Sequence, residues 1–567
     1  MYLRSTPRKN KDGSAVRYLQ LAHNVWDPLA KGSKAQVIYN FGREDAQSRA
    51  AVERLVASLS RFLAPEAALA SSAGEGFDFL DSRPLGGTWA LDGLWRRLGI
   101  DALLRRALEG RRRDPSAERV LFSLVANRAL APSSKLAASR WVGEDVHIEG
   151  LPEVSDVACY RAMDWLCEIA PALEKEVFHA VASLLNLEVD LLFFDTTSTY
   201  FCADEADEPL PRDERGELTD TDEQTVRYAG FRTYGQSKDH RGDLPQVVIG
   251  MAVTREGIPV RVWSWPGNSA DVSLLAQVKE DLREWTLGRV IWVADRGFAS
   301  AENRRLLRRG DDAYIMAEKL RGGCPEAQAA LARAGRYREV AGNLRIKEVR
   351  ISREERFVVA HNREAAARDA AVRARLVARL EEMIAGSDAL PATKRAELRG
   401  AISTKPGLAR LLRTTPGGLL RVDAAAIKAE ERLDGTYLLR CSDPALSAEE
   451  IALGYKQLWQ IERAWRDMKR IIDLRPVYHR KEERIRAHVL LCWLALLLVR
   501  VAENACDDSW ANLRRELERI KLGSFAGPTG SFSQRTELTA AQRAILAKLQ
   551  LAEPPRISEL SPAALAS

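Results

Sequence analysis

A chain of 567 residues is too long for one hydrophobic core, and length alone suggests roughly three or four folding units. Hydrophobic residues at 46% and charged residues at 29% exclude a disordered or fibrous chain, while 85 Lys+Arg against 79 Asp+Glu, a net charge of +6, suits a polyanionic partner without demanding one. The seven cysteines (Cys159, Cys167, Cys202, Cys324, Cys441, Cys492, Cys506) are scattered and never spaced Cys-x-x-Cys, which argues for a reducing cytoplasm and against a zinc site; Met1 to Arg4 begins no signal-peptide hydrophobic stretch, so export is not expected.

Residues 1–46 alternate in short runs, Val16 to Leu21 and Ala35 to Tyr39, and are expected to form a small β unit. From 47 to 186 the period becomes helical, as at Leu91, Leu94, Trp95 and Leu98, and this section is expected to be a helical DNA-binding region. Its arginine clusters (Arg96 and Arg97, Arg105 and Arg106, Arg111 to Arg113) suit phosphate contacts, although solvated helix faces explain each equally well. Ser155 to Leu166 offers a weak signal for the turn and second helix of a helix-turn-helix.

The next section, 187–320, changes character. Strands are expected at Glu188 to Asp195, Tyr228 to Tyr234, Gln246 to Thr254 and Pro259 to Trp265, with an acidic stretch from Asp204 to Glu223 and a turn at Arg255-Glu256-Gly257. A helix from Asp271 to Trp285, a strand ending at Asp295, a helix from Ser300 to Arg309 and a strand from Ala313 to Glu318 follow. The order reads β-β-β-α-β-α-β, a mixed sheet with helices on its faces. Two apolar runs in it end on aspartate: Leu191-Leu192-Phe193-Phe194-Asp195 and Val290-Ile291-Trp292-Val293-Ala294-Asp295. Each has the look of a strand buried on both faces, stopping where polar residues begin. One such aspartate is ordinarily a helix or turn cap; two on neighbouring strands would place carboxylates on one rim, where hard cations are held. Trp263 and Trp265 share a strand face and read as core, and Asp271 reads as the cap of its helix.

Residues 321–442 depart from the plan and read as an inserted, mainly β subdomain, with runs at Leu344 to Ile351 and Arg356 to His361, a charged helix from Glu364 to Ile384, and a hairpin at Asp434-Gly435. From 443 to 505 the sheet-and-helix domain resumes. Ser447 and Glu450 form a capping box at the start of a helix. Beyond it Tyr455, Glu462 and Lys469 are spaced by seven, which returns each to within about 20° of the same azimuth, with Arg466 on the same side. Leu458, Trp459, Ile461, Trp465 and Met468 bury this helix, so its glutamate needs a partner, and a metal is a natural one. Val489 to Val499, eleven apolar residues, is shorter than the ~20 that span a bilayer and reads as a buried helix; no membrane partner is expected. His479 and His488 read as core or helix-end histidines. A helical tail is expected for 506–567.

Tyr455, Glu462 and Lys469 resemble three of the four positions of the Tyr-Arg-Glu-Lys signature of bacterial insertion-sequence transposases of the DDE class; Leu458 stands at the arginine position, and Arg463 and Arg466 are the candidates to replace it. Asp195-Thr196-Thr197-Ser198, Gly235-Gln236-Ser237-Lys238-Asp239 and Ala294-Asp295-Arg296-Gly297 are similar to other motifs of that family, as is an insertion before the glutamate. The resemblance covers about residues 187 to 500. It implies a ribonuclease H-like α/β catalytic domain with Asp195, Asp295 and Glu462 as catalytic residues and metal ligands.

The resemblance further implies two Mg²⁺ or Mn²⁺ ions about 3.5–4 Å apart, with Asp195 bridging and Asp295 and Glu462 each completing one. The ions would serve hydrolysis at the element ends and then attack of the freed 3′-hydroxyl on target DNA. Lys469, Tyr455, Arg466, Lys238 and Arg241 are the expected contacts to double-stranded DNA, and Arg304, Arg305, Arg308 and Arg309 form a basic edge that either tracks the duplex or is merely solvated. A homodimer in the DNA complex is expected because two ends are joined. A bacterial, nucleoid-associated location follows. Two other readings stay open: a ribonuclease H-like host nuclease without strand transfer, and a non-catalytic DNA-binding protein derived from a transposase.

Overall fold

The computed structural model describes residues 2–9, 15–27, 32–63, 77–109, 114–185, 187, 190–202, 205–219, 226–285, 288–352, 356–475, 477–527 and 530–562. Arg111 to Arg113, the beginning of the strand expected from Glu188 and part of the acidic stretch lie outside them. The chain divides into two compact units, Met163–Arg500 and Met1–Ala162 with Val501–Ser567.

The unit Met163–Arg500 is built on a nine-stranded mixed sheet. Its first strand is β1 (Leu191–Tyr200), followed by β2 (Gln246–Thr254), β3 (Pro259–Pro266), helix α1 (Asp271–Arg283), β4 (Ile291–Ala294), α2 (Ala301–Leu307) and β5 (Ala313–Ala317). Then come β6 (Arg338–Ala341), β7 (Leu344–Arg350), β8 (Arg356–Asn362) and β9 (Thr436–Cys441), and finally helices α3 (Ala448–Lys456), α4 (Trp459–Arg470) and α5 (Glu482–Cys506). Across the sheet the order is β6-β7-β8-β9-β5-β4-β1-β2-β3. The first three strands make an antiparallel meander, β4 and β5 run parallel to β1, and each parallel step is made through a helix. That five-stranded portion, β3-β2-β1-β4-β5, is the ribonuclease H-like arrangement expected.

Alternation explains the packing. Leu192, Phe194, Trp292 and Ala294 point to one face, where they meet Leu274, Leu275, Val278 and Leu282 of α1 in a core shared with Trp263 and Trp265. The two indoles stack with centroids 6.3 Å apart and donate to Asp281 and Gln277, so they are core residues, as read. The opposite face carries Leu191 and Ile315, against which α3 lies at Gly454.

Several expectations change. Tyr228 to Tyr234 is not a strand of the large sheet and meets it at one bridge, Thr233 with Gln246 of β2; only Arg227–Ala229 is a strand, paired with Leu210–Arg212. The strands of the expected insertion extend the same sheet through the antiparallel pair β5 and β9, while helices Arg363–Ile384 and Ala392–Ser403 close a small core of their own. Asp434-Gly435 is not a hairpin, because Ala424–Glu431 before it is helical; the dipeptide turns that helix into β9, with Gly435 at φ 63. The apolar run Val489 to Val499 lies inside α5, which by length and composition passes as a membrane span but has 94% of its apolar window buried inside the protein. His488 is buried on the Leu474 carbonyl, a core histidine.

In the other unit, Tyr2–Lys9, Ala15–Asp27 and Gly32–Arg43 form the expected small antiparallel sheet. Helices Gly86–Arg97, Ile100–Leu108, Ala117–Leu130 and Lys135–Glu144 follow. Arg96 pairs with Asp92, and Arg105 with Asp101 and Glu118, so acids of the same unit take up these charges. Ser155 to Leu166 is not a turn and a short helix: it opens one helix, Asp156–Leu185, reached by a connection far longer than the three or four residues of a helix-turn-helix. The tail expected to be helical contains strands Lys521–Gly527, Gly530–Arg535 and Ile557–Pro562, which join Asp78–Pro84 in a four-stranded sheet. Their glycines and serines hide the alternation that would have marked them.

Candidate active site

The register of two parallel strands brings the aspartates together. Leu191 pairs with Ile291, Leu192 with Trp292, Phe193 with Val293 and Phe194 with Ala294, so the next residue along each chain is Asp195 and Asp295. Beyond that point the strands part. Chain β4 leaves into the single turn Arg296–Phe298, whereas β1 continues to Tyr200 on the ladder of β2. Asp195 is therefore not at a strand end, as expected, but where its strand loses one neighbour and keeps the other. Thr196 to Ser198, the polar residues at which the strand was expected to stop, are buried strand residues.

Parity places both carboxylates on the face covered by α3 and α4. Tyr455, in the last turn of α3, donates its hydroxyl to Asp295 Oδ1 at 3.2 Å. Burial, together with the charges of Asp295 and Glu462, holds the Tyr455 phenol well above its ordinary pKa, so it stays a donor. Asp195 is pushed up to about 6, first by burial and then by Asp271 and Asp295, against the opposing pull of Lys238 and the Thr196 amide. Asp195, Asp271 and Asp295 thus bring three acidic groups together here.

Lys238 is the nearest cation. Its Nζ is 2.8 Å from the Thr196 carbonyl, 2.5 Å from Thr196 Oγ1, 3.0 Å from Asp271 and 4.0 Å from Asp195. Asp271, read as a helix cap, makes no side-chain cap; it accepts from Thr196 Oγ1 at 2.7 Å and pairs with Lys238. Sequence reasoning missed this third acid because a first-turn aspartate is so common at helix starts. The Arg241 guanidinium is held by Asp243 at 2.8 Å and lies over the Tyr200 ring.

The stripe of Tyr455, Glu462 and Lys469 is not one continuous helix. Gln457 and Leu458 tighten the chain between α3 and α4, and Leu458 becomes the N-cap of α4. Ser447 and Glu450 do form the capping box. Ile461, Trp465 and Met468 are buried as expected, but Trp459 is 47% exposed. Glu462 and Arg466 stand exposed, Glu462 near enough for its charge to reach Tyr455. Lys469 is paired with Asp239 at 2.8 Å, and Arg475, which the sequence reading did not single out, pairs with the other oxygen of the same carboxylate. Arg463 pairs with Asp467, and Arg304 with Glu318.

The donor set fits a hard divalent cation in kind: oxygen only and anionic. It is not a closed cage, since among the described residues no three His, Cys, Asp or Glu side chains stand close enough to hold a metal. Asp195 and Asp295 are juxtaposed, and Glu462 lies on the neighbouring helix without joining them.

The transposase DDE domain family matches residues 214–498, about half of the chain, and the N-terminal domain of IS1634 family transposases matches residues 3–70. The chain belongs to the DDE transposases of insertion sequences. Asp295 and Glu462 fall inside the matched span of this transposase, and Asp195 precedes it. No match was found among curated proteins. A cryo-EM structure of the piggyBac transposase synaptic complex with hairpin DNA is similar over 76% of this chain and 77% of its own, at 12% identity and a TM-score of 0.33.

Proposed function

We propose that this transposase binds the terminal inverted repeats of its own element, hydrolyses phosphodiester bonds at their ends and transfers the freed 3′-hydroxyl to target DNA. Asp195, Asp295 and Glu462 are the catalytic carboxylates. The observation that carries the reading is the in-register pairing of β1 and β4, which sets Asp195 beside Asp295 on the face where α4 presents Glu462. Two divalent cations, Mg²⁺ or Mn²⁺, held by these three residues would polarise the phosphate and lower the pKa of the attacking water or hydroxyl.

The chain's own groups do the rest. Tyr455 fixes the rotamer of Asp295 through its hydrogen bond, and Lys238, anchored on Thr196, limits the charge at Asp195. Glu462, exposed on α4, is free to approach when DNA and cations enter. Lys469, Arg466, Lys238 and Arg241 supply positive charge for the backbone of double-stranded DNA, and two copies of the chain hold two ends, at the nucleoid. A host nuclease without strand transfer shares the site, but the match of residues 3–70 to an insertion-sequence N-terminal domain favours the transposase. A non-catalytic descendant is disfavoured by the presence of all three carboxylates.

The test is Mg²⁺-dependent cleavage and strand transfer on duplexes carrying the repeats that flank the gene. Asp195→Asn and Glu462→Gln are each expected to lose at least ~10³-fold in cleavage rate, about 4 kcal/mol of barrier, while still binding the duplex. Cleavage at the wild-type rate by Asp195→Asn refutes the whole site; the same result for Glu462→Gln refutes only the third carboxylate.

A further inference from the structure

Lys469 and Arg475 converge on a single carboxylate. Lys469 Nζ lies 2.8 Å from Asp239 Oδ1, and the Arg475 guanidinium meets the other oxygen. One negative charge is thus shared by two positive ones, and Lys238 adds its field at Lys469. Arg475 lies over the ring of Tyr200, 5.7 Å from its centroid, at the end of the strand that carries Asp195. The carboxylate gives one oxygen to each cation, and a phosphate offers two anionic oxygens in the same way. Asp239 belongs to the loop after β1, where His240 adopts a left-handed φ of 58.

We propose that Lys469 and Arg475 form a clamp for a DNA phosphate next to the aspartate pair, and that Asp239 occupies the clamp until DNA displaces it. The proposal rests on the transposase reading above. It also supplies the positive charge missing at Leu458. Arg463 is engaged by Asp467 on its own helix, whereas Arg475, from the connection after α4, reaches the same anion as Lys469. Removing Asp239 then removes a competitor for DNA, and removing Arg475 removes one phosphate contact.

The experiment is fluorescence anisotropy of the full chain on a labelled terminal-repeat duplex in EDTA, titrated across NaCl concentrations, with thermal melts of each variant. For Arg475→Gln, affinity is expected to fall for every sequence tested, and the slope of log K against log[salt] to become shallower by about 0.9, one phosphate's worth. Asp239→Asn is expected to bind severalfold more tightly than wild type at low salt. An unchanged slope for Arg475→Gln overturns the clamp. Binding no tighter than wild type by an Asp239→Asn variant that melts as wild type overturns the placeholder role; if that variant does not fold, Asp239→Ser in the same titration decides it. Failure of the wild type to bind or cleave the duplex counts against the transposase reading, whereas wild-type binding and cleavage with the wrong variant pattern counts against the clamp alone.

Discussion

Tyr455 shows how a single side chain links helix to sheet at the site. Its hydroxyl is committed to Asp295, so Tyr455→Phe leaves the carboxylate without a donor, a hydrogen bond to a charged group being worth roughly 1.5–3 kcal/mol. Cleavage by Tyr455→Phe is expected to fall about 10–100-fold, as read by single-turnover kinetics with the duplex saturating. Glu174 makes a different residue-scale prediction. Buried against Arg261 at 3.3 Å and near Asp281, it is pushed up to about 7, burial being the main cause. An acid whose folded pKa is raised favours folding below its unfolded value, near 4.5, and loses that contribution as pH rises through 7. Stability should therefore decline between pH 5 and pH 8, and Glu174→Gln should reduce that decline by up to about 3 kcal/mol in denaturant melts. An identical pH dependence in the variant contradicts the assignment.

Elements carry these residues to their places, and a tight constraint lies under the site. Gly250 of β2 pairs with Thr196, and a methyl group there would stand 2.6 Å from the Trp265 ring and 3.1 Å from Phe194. Gly250→Ala is expected to cost about 1–3 kcal/mol, because the indole stack has no room to yield, and circular-dichroism melts will show it. The apolar runs before Asp195 and Asp295 announced their strands, and alternation told which side chains enter the core. Continuation of β1 through Thr196 to Tyr200 was hidden, since four hydroxyl-rich residues look like a turn until a partner strand pairs them. The break between α3 and α4 was hidden too: no proline marks Gln457-Leu458 and the helical spacing runs on through it, yet it sends Tyr455 to Asp295 and Lys469 to Asp239.

For the whole molecule, the gathering of three acidic groups at Asp195 predicts a thermodynamic response to cations. Binding to the folded state alone stabilises by RT ln(1 + [L]/Kd), about 1.4 kcal/mol at ten times Kd. Millimolar Mg²⁺ should raise the melting temperature of the unit Met163–Arg500 in the full chain, and Asp195→Asn should abolish the gain. An equal rise in both proteins places the cations elsewhere. The sequence by itself determined the two aspartates, the strands that hold them, the capped helix before the glutamate and the family they point to, because apolar runs, capping chemistry and motif spacing are local signals. Only the tertiary structure decided that the aspartates face each other, that Asp271 joins Lys238 at their side, and that Arg475 shares Asp239 with Lys469. Register between distant strands, and the convergence of side chains from separate elements on one charge, depend on packing that no local pattern encodes.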